Sequence, residues 1–439
     1  MVKKNNIVAA IDIGTTKIVS IVGRRNDKNK IDILAFSKTD SRGVKRGTVM
    51  NIEDTVNAIQ KTVDDVRQQT GNPVSEVFVG IAGQHVKSIR NRGYINRDSY
   101  DEEITVGDIR NLVDDMFKIP IDVGEEIIHV LPQNFIVDNE HNIKNPVGMT
   151  GKRLEANFNI VIGQVSSAKN IEKCVSRVGL KVRDMILEPL ASAEAVLTED
   201  EKEAGVALID IGGGTTDLAV YYDGIIRHTA VIPFGGNVVT EDIKQGCSIL
   251  MRQAELLKLQ FGSALGEIAP DDKVVTIPGI SGREPKEISF KNLAYIIQSR
   301  MEEIIDAASF EIENSGFYEQ LSAGIVLTGG GALLTHLSQL VKFRTGLDVR
   351  IGYPNEYLAG DPDEEINHPM YSTAVGLILK AYEITELDDK TLIETESEPL
   401  EDEEKEPGEE KKQARIKSSI FENLKSTITR IFEEDDIKM

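Results

Sequence analysis

The chain has 439 residues, 40% of them hydrophobic, and a formal net charge of −22. That length supports more than one core, and so acidic a surface opposes the phosphate neutralisation that nucleic-acid binding requires, so no nucleic-acid partner is expected. The two cysteines, Cys174 and Cys247, have neither CxxC spacing nor a histidine cluster beside them; they read as buried thiols in a reducing compartment, with no zinc site.

At the N-terminus, Lys3 and Lys4 precede a short apolar run from Ile7 to Ile11 that stops at Asp12, too short for a signal-peptide core. No stretch reaches the roughly 18 apolar residues of a spanning helix, so a cytoplasmic chain with at most peripheral membrane contact is expected. Apolar runs bounded by turn residues predict strands near 7–13, 18–24 and 31–37, then a helix near 52–69 and a strand at 76–82. Residues 86–164 break this rhythm with a charged stretch from Asn91 to Glu103, a helix beginning near Thr105, and strands at 127–137 and 154–163 around a Pro/Gly turn. They read as an inserted subdomain. Helix and strand alternate again from Ala168, with strands at 182–187, 206–211, 216–222 and 226–233 and helices near 236–246 and 250–261. The opening pattern thus recurs, which predicts a duplicated fold with a cleft between its halves. Beyond about Leu387 the sequence turns Glu-rich, carries Pro399 and Pro407, and has the composition of a disordered linker, with twelve acidic against five basic side chains between Asp388 and Arg415.

The first chemical signal is Asp12-Ile13-Gly14-Thr15-Thr16-Lys17, a strand that ends in an acid and enters a tight turn. Glycine lets the backbone approach a phosphate, hydroxyls and a lysine add donors, and the acid can hold magnesium through water. A plain hairpin with a surface aspartate reads the same way when it stands alone. A second copy at Asp210-Ile211-Gly212-Gly213-Gly214-Thr215-Thr216-Asp217, opening the other half of the chain, predicts two hairpins that face each other and grip phosphates from both sides. Neither copy is a Walker A loop or a GxGxxG fingerprint, because the GK[ST] triplet and the immediate helix are absent.

These hairpins resemble those of the superfamily of actin, sugar kinases and DnaK-type chaperones, and Leu327-Thr328-Gly329-Gly330-Gly331-Ala332 resembles its adenosine-binding turn at a helix start. The resemblance implies an α/β, duplicated, ribonuclease H-like two-lobe fold with nucleotide between the lobes. It also implies a catalytic set of Asp12, Asp210 and Glu188, the last in Glu188-Pro189-Leu190-Ala191-Ser192-Ala193, pointing at the γ-phosphate. Glu188 also suits a helix N-terminus interacting with the dipole. Asp12 and Asp210 would hold Mg2+ through water. Gly235 and Gly236 are carried over as nucleotide contacts, as are Glu255 and Lys258, which match a ribose- and base-contacting pair; an exposed i,i+3 ion pair is the other reading of those two.

Three attachments narrow the resemblance. Too little chain follows the lobes for a chaperone's substrate domain. Residues 86–164 carry Ile127-Ile128-His129-Val130-Leu131-Pro132-Gln133-Asn134-Phe135 and Asn145-Pro146-Val147-Gly148-Met149-Thr150-Gly151, which are similar to the FtsA family of bacterial cell-division proteins. The C-terminus is amphipathic: as a helix, Ile416, Ile420, Phe421, Leu424, Ile428, Ile431 and Phe432 share an arc of roughly 160°, with Lys417, Lys425 and Arg430 as cationic anchors. Docking onto the body or a partner is the alternative fate of such a helix, and Glu433, Glu434, Asp435 and Asp436 oppose anionic headgroups. Binding by one copy is expected to be weak and reversible.

Resemblance to the FtsA family implies an actin-like polymer with ATP bound, slow hydrolysis at most, and a role that is primarily a scaffold's. Its implied partners are FtsZ, through a C-terminal peptide, further copies of itself, later division proteins and lipid, at the cytoplasmic face of the membrane at the division site. The implied domains are 1–85 and 165–204 for the first lobe, with 363–387 returning to it; 86–164 for the insertion; 205–235 and 306–362 for the second lobe; and 236–305 for its small subdomain, the expected FtsZ-binding region. A disordered linker at 388–415 and a membrane-targeting helix at 416–439 complete the chain. A small-molecule kinase of the superfamily, or an actin-like protein of pilus assembly, is the alternative reading.

Overall fold

The computed structural model describes residues 7–28, 30–71, 74–279, 284–359 and 365–397, with side chains described through Thr385. The predicted helix over 416–439 lies outside the described residues, as does the linker from 398 onward. Among the described residues no helix is long and apolar enough to cross a membrane.

Two five-stranded sheets repeat one topology. In the first, Ile7–Ile13, Lys17–Arg25 and Ile31–Asp40 form an antiparallel meander, and Glu76–Ile81 and then Lys181–Leu187 add in parallel on the other side of the first strand. In the second, Val206–Ile211, Thr216–Tyr222 and Ile225–Ile232 form the meander, and Ile325–Thr328 and Val349–Ile351 add in parallel. The first strand of each is buried along nearly its whole length, as its unbroken apolar run requires of a strand covered on both faces.

Each sheet has an outer helical layer. Ile52–Thr70 and Val165–Arg177 cover the first; the former is capped by Asn51, whose side chain accepts from the Asp54 N–H, and is ended by left-handed Gly71. Gly236–Cys247, Met251–Phe261, Phe290–Ser315 and Leu337–Thr345 cover the second. Between the sheets lie Glu188–Val196 and Ser372–Ser397, whose buried small residues Ala191, Ala193, Ala195, Ala374 and Ala381 join one core drawn from both sheets.

The insertion is an antiparallel sheet in the order Lys87–Asn96, Arg153–Gln164, Glu125–Val137, Glu140–Ile143, covered by helix Val106–Met116 around its own core of Ile109, Leu112, Phe135, Leu154 and Phe158. Its strand Lys87–Asn96 runs into the charged stretch that was not expected to form a strand: Arg90 and Arg92 point away from the core while Ile89 and Ile95 pack on it, a half-buried edge pattern that charge obscures. Within the insertion His129 is half-buried, and its Nε2 accepts a 3.1 Å hydrogen bond from the Leu187 N–H on the first lobe.

Three further expectations need correction. The backbone remains helical to Ser397, beyond the predicted start of the linker at 388, because Thr391, Leu392 and Ile393 interrupt the acidic run and no proline intervenes before Pro399. The glycines at 329–331 lead into a single 3₁₀ turn, Gly330–Leu333, and the α-helix begins only at Leu337. Cys174 is buried, but Cys247, in the last turn of its helix, is only half-buried.

Candidate functional site

The duplicated hairpins meet turn to turn. Asp12 and Asp210 occupy matching positions, each one residue before the end of the first strand of its sheet, and both are buried. Gly14 and Gly212 are equivalent to atomic detail: a Cβ on either would meet the carbonyl oxygen three residues ahead, at 2.9 Å from Lys17 O and 3.1 Å from Thr215 O.

The next two positions differ, and the difference makes them complementary. A Cβ on Gly213 would stand 2.3 Å from Thr16 Cγ2, and one on Gly214 would stand 2.4 Å from Thr15 Oγ1. The hydroxyl-bearing residues of the first turn fill the room that the second leaves empty. Thr15 Oγ1 also accepts a 3.1 Å hydrogen bond from the Gly47 N–H, and Thr216 Oγ1 donates to Phe234 O at 3.0 Å.

Helix Gly236–Cys247 starts directly on the second turn: the Gly236 and Asn237 N–H groups donate to Gly212 O and Gly213 O at 2.9 and 2.8 Å. A Cβ on Gly235 would stand 2.4 Å from Gly212 O. Lys258 donates to Gly236 O at 2.9 Å and to Thr240 Oγ1 at 2.8 Å, and pairs with Glu255 at 2.8 Å; Thr240 Oγ1 also donates to Glu255. The pair is thus an i,i+3 ion pair whose lysine is largely buried and bonded to the backbone where that helix begins. Gly329, at φ +83, brings its backbone against Asp210, where a Cβ would lie 2.3 Å from Oδ1, and Gly331 lies as closely on Ile211. Gly330 opens the intervening 3₁₀ turn.

Glu188 opens the buried crossing helix and lies over Gly80, whose Cβ would be 3.1 Å from Glu188 Cγ. The four acids gathered here are Asp12, Glu188, Asp210 and Asp217. Asp217 belongs to the sequence motif but was not expected in the site. The hairpin register places it directly across from Asp210, where the first hairpin has Val19 across from Asp12. The signal was available in the sequence: an acid closes the second hairpin at the position that pairs with the acid opening it.

Burial sets the titration of all four acids. It pushes Asp12 up to about 6, against the pull of Lys17 and with a push from Asp210. Burial, then Asp12, Asp217 and Asp210, hold Glu188 well above the ordinary carboxylate range, and burial followed by Asp210 does the same to Asp217. Asp210 is raised by burial and restrained by hydrogen bonds from Ser192 and Thr373 and by Lys17. The Lys17 ammonium lies 5.6 Å from the centre of the Tyr371 ring and acts electrostatically on Asp12, Asp210 and Glu188.

Four acids near one lysine, three of them buried and Glu188 half-buried, form a site short of positive charge, and the buried Asp217 Oδ1 has no hydrogen-bond partner. Among the described residues no three His, Cys, Asp or Glu side chains stand close enough to ligate one ion directly. The donor set therefore suits a divalent cation that keeps its water shell and is held by carboxylates at one remove.

A family model described as "Cell division protein FtsA" matches residues 207–376, and one described as "SHS2 domain inserted in FTSA" matches residues 83–162. The cell division protein FtsA of Pseudomonas aeruginosa is 39% identical over 378 residues, which cover 86% of this chain and 90% of that protein. The chain belongs to the FtsA family. The FtsA proteins of Escherichia coli K12 and Bacillus subtilis 168 are 36% and 34% identical, over 85% of this chain and 89% and 83% of theirs. Among solved structures, a chain of the PilM–PilN type IV pilus biogenesis complex superposes with a TM-score of 0.62 at 16% identity, covering 85% of this chain and 98% of its own. MreB5 of Spiroplasma citri bound to ADP does so at 0.52 and 15%, covering 90% and 99%. At such identities the likeness concerns the fold, and it is the actin-like two-lobe fold. An FtsA chain on this fold is a cell-division protein of the actin-like family.

Proposed function

We propose that this FtsA chain is an ATP- and magnesium-binding scaffold that polymerises in an actin-like manner and holds FtsZ filaments to the cytoplasmic face of the membrane, where later division proteins join it. The observation that carries the nucleotide reading is the charge-deficient acid cluster between two turns that present hydroxyls on one side and bare backbone on the other. The first turn, with Thr15, Thr16 and Lys17, and the second, with Gly212, Gly213, Gly214, Thr215 and Thr216, supply donors to the phosphates. Gly235, Gly236, Glu255 and Lys258 take the sugar and base side, and Gly329, Gly330 and Gly331 form the opposite wall.

Asp12 and Asp210 would hold a magnesium ion through its water shell, and such an ion would supply positive charge to offset carboxylates and phosphates. Glu188, whose carboxyl burial and the neighbouring acids raise, would accept a hydrogen bond from the attacking water. Hydrolysis is slow and the nucleotide is chiefly a conformational switch. MreB5 of Spiroplasma citri, which shares the fold, was solved bound to ADP, and this supports the nucleotide reading.

The small subdomain exposes Met251, Leu256 and Leu259 on one helix, which suits the apolar side chains of an FtsZ C-terminal peptide. Membrane attachment rests on the amphipathic pattern of residues 416–439.

The chain is expected to bind ATP in a magnesium-dependent manner, to lose that binding in Asp210→Ala, and to capture an FtsZ C-terminal peptide on beads. Absence of ATP binding defeats the nucleotide reading, and absence of capture defeats the partner assignment. Removal of 416–439 is expected to release the protein from anionic liposomes; unchanged co-sedimentation defeats the membrane assignment.

A further inference from the structure

Asp210 is held by two hydroxyls from different parts of the chain. Ser192 Oγ donates to Asp210 Oδ2 at 2.6 Å, Thr373 Oγ1 donates to the same oxygen at 3.3 Å, and the two hydroxyls stand 3.0 Å from each other. Ser192 is wholly buried. It lies in the middle of the crossing helix Glu188–Val196, and Thr373 is in the first turn of Ser372–Ser397.

These helices are in backbone contact. A Cβ on Gly376 would lie 1.7 Å from Ala191 O, so no side chain fits between them at the turn that brings Ser192 to Thr373. Further along, helix Ser372–Ser397 packs against the first sheet through Leu377 and Ile378, whereas Asp210 belongs to the second. The hydroxyl pair therefore fastens an acid of one lobe to a helix seated on the other.

With Oδ2 occupied by two donors, the carboxylate cannot rotate without breaking both bonds, and Oδ1 is kept against Gly329. We propose that Ser192 and Thr373 are positioning residues for the divalent-cation step of nucleotide binding, aiming Asp210 only while the two crossing helices are seated against each other. They touch neither nucleotide nor ion. Their effect is to remove the cost of ordering a buried carboxylate when the hydrated cation arrives.

The inference rests on the nucleotide reading of the site, and one titration separates the two. A fluorescent ADP analogue is bound to the full chain in EDTA and again across a magnesium series. The substitutions are Ser192→Ala, Thr373→Val and the conservative Thr373→Ser. Both non-hydroxyl variants are expected to retain their affinity in EDTA and their thermal midpoint, and to lose about tenfold of the affinity gained with magnesium, the scale of one hydrogen bond to a charged group. Thr373→Ser is expected to restore that gain.

If affinity in EDTA and in magnesium falls in parallel, or if neither changes, the positioning role is overturned while nucleotide binding stands. If the unsubstituted chain binds no nucleotide in either condition, both readings fall. Should the Thr373→Val variant unfold early, Ser192→Ala, which removes one oxygen from a packed helix, decides between these outcomes by itself.

Discussion

The crossing helix Glu188–Val196 has a cluster of buried charge toward each end, and the two clusters are built on opposite terms. Toward its N-terminus, Glu188 joins Asp12, Asp210 and Asp217 in the field of Lys17. Toward its C-terminus, Glu194 bonds Lys202 at 3.3 Å and Lys380 at 3.2 Å, and Lys380 also bonds Glu383 at 2.8 Å. The second cluster is internally neutralised. Burial alone would raise Glu194, yet the two ammoniums hold it at about 2, and both lysines are raised. The first cluster has no such balance, and its acids go up instead of down. A buried charge group that closes on itself stabilises one arrangement of the chain; one left open waits for a ligand.

The largest effect is expected where the closed cluster is opened. Glu194→Gln removes the carboxylate that the two ammoniums share, leaving Lys202 with Glu199 and Lys380 with Glu383, and urea unfolding is expected to show a loss of about 3 kcal/mol, the low end for a broken buried pair. A loss below about 1 kcal/mol, the range of an exposed pair, would mean that the cluster is not closed on itself.

Next comes pH, on which the clusters have opposite signs. Asp12 moves from an ordinary 3.8 to about 6 on folding, so its contribution is complete below pH 4 and is lost as pH rises through 6. The nucleotide-free chain is expected to lose about 2 kcal/mol from this group between pH 4 and 7. Asp12→Asn is expected to reduce the slope of the unfolding midpoints over the series, leaving the part of the same sign that the raised Glu188, Asp210 and Asp217 contribute. Glu194, depressed to about 2, contributes stability that is present above its ordinary 4.5 and is lost only as pH falls through 2.

The smallest effect lies in the fit of the turns. Gly214→Ala pushes a methyl group onto Thr15 and is expected to cost about 1–3 kcal/mol. Thr15→Ala should recover part of that loss, with a coupling of at least about 0.5 kcal/mol in a double-mutant cycle. Strict additivity would show that the turns do not bear on each other.

The open cluster was more legible in the sequence than the closed one, for reasons of locality. Asp12, Asp210 and the glycines beside them lie at the ends of apolar strands, where a short motif carries the geometry with it. Glu188 followed from resemblance alone. Lys380 and Glu194 sit 186 positions apart and look like ordinary helix-surface charges until two sheets close over them. Ser192 and Thr373 were hidden in the same way, since a serine among alanines gives no sign of an acid 18 residues onward. The strand Lys87–Asn96 was missed because arginines on its outer face mask the alternation on its inner one. The α/β architecture and its duplication, by contrast, could be read directly, because hydrophobic period and glycine turns are properties of a few adjacent residues.

His129 sets a limit on how freely this architecture can be taken apart. Burial and Lys380 lower its imidazole to about 4, so at neutral pH the ring is uncharged and free to accept the Leu187 N–H. Leu187 is the residue immediately before Glu188. The insertion thus contributes a piece of the floor on which the acid stands, and it is not an interchangeable cassette. Cutting it out, or grafting in a foreign subdomain with an apolar residue at this point, would leave a peptide N–H without an acceptor beside the acid, and the graft would disturb the acid cluster before it changed any partner.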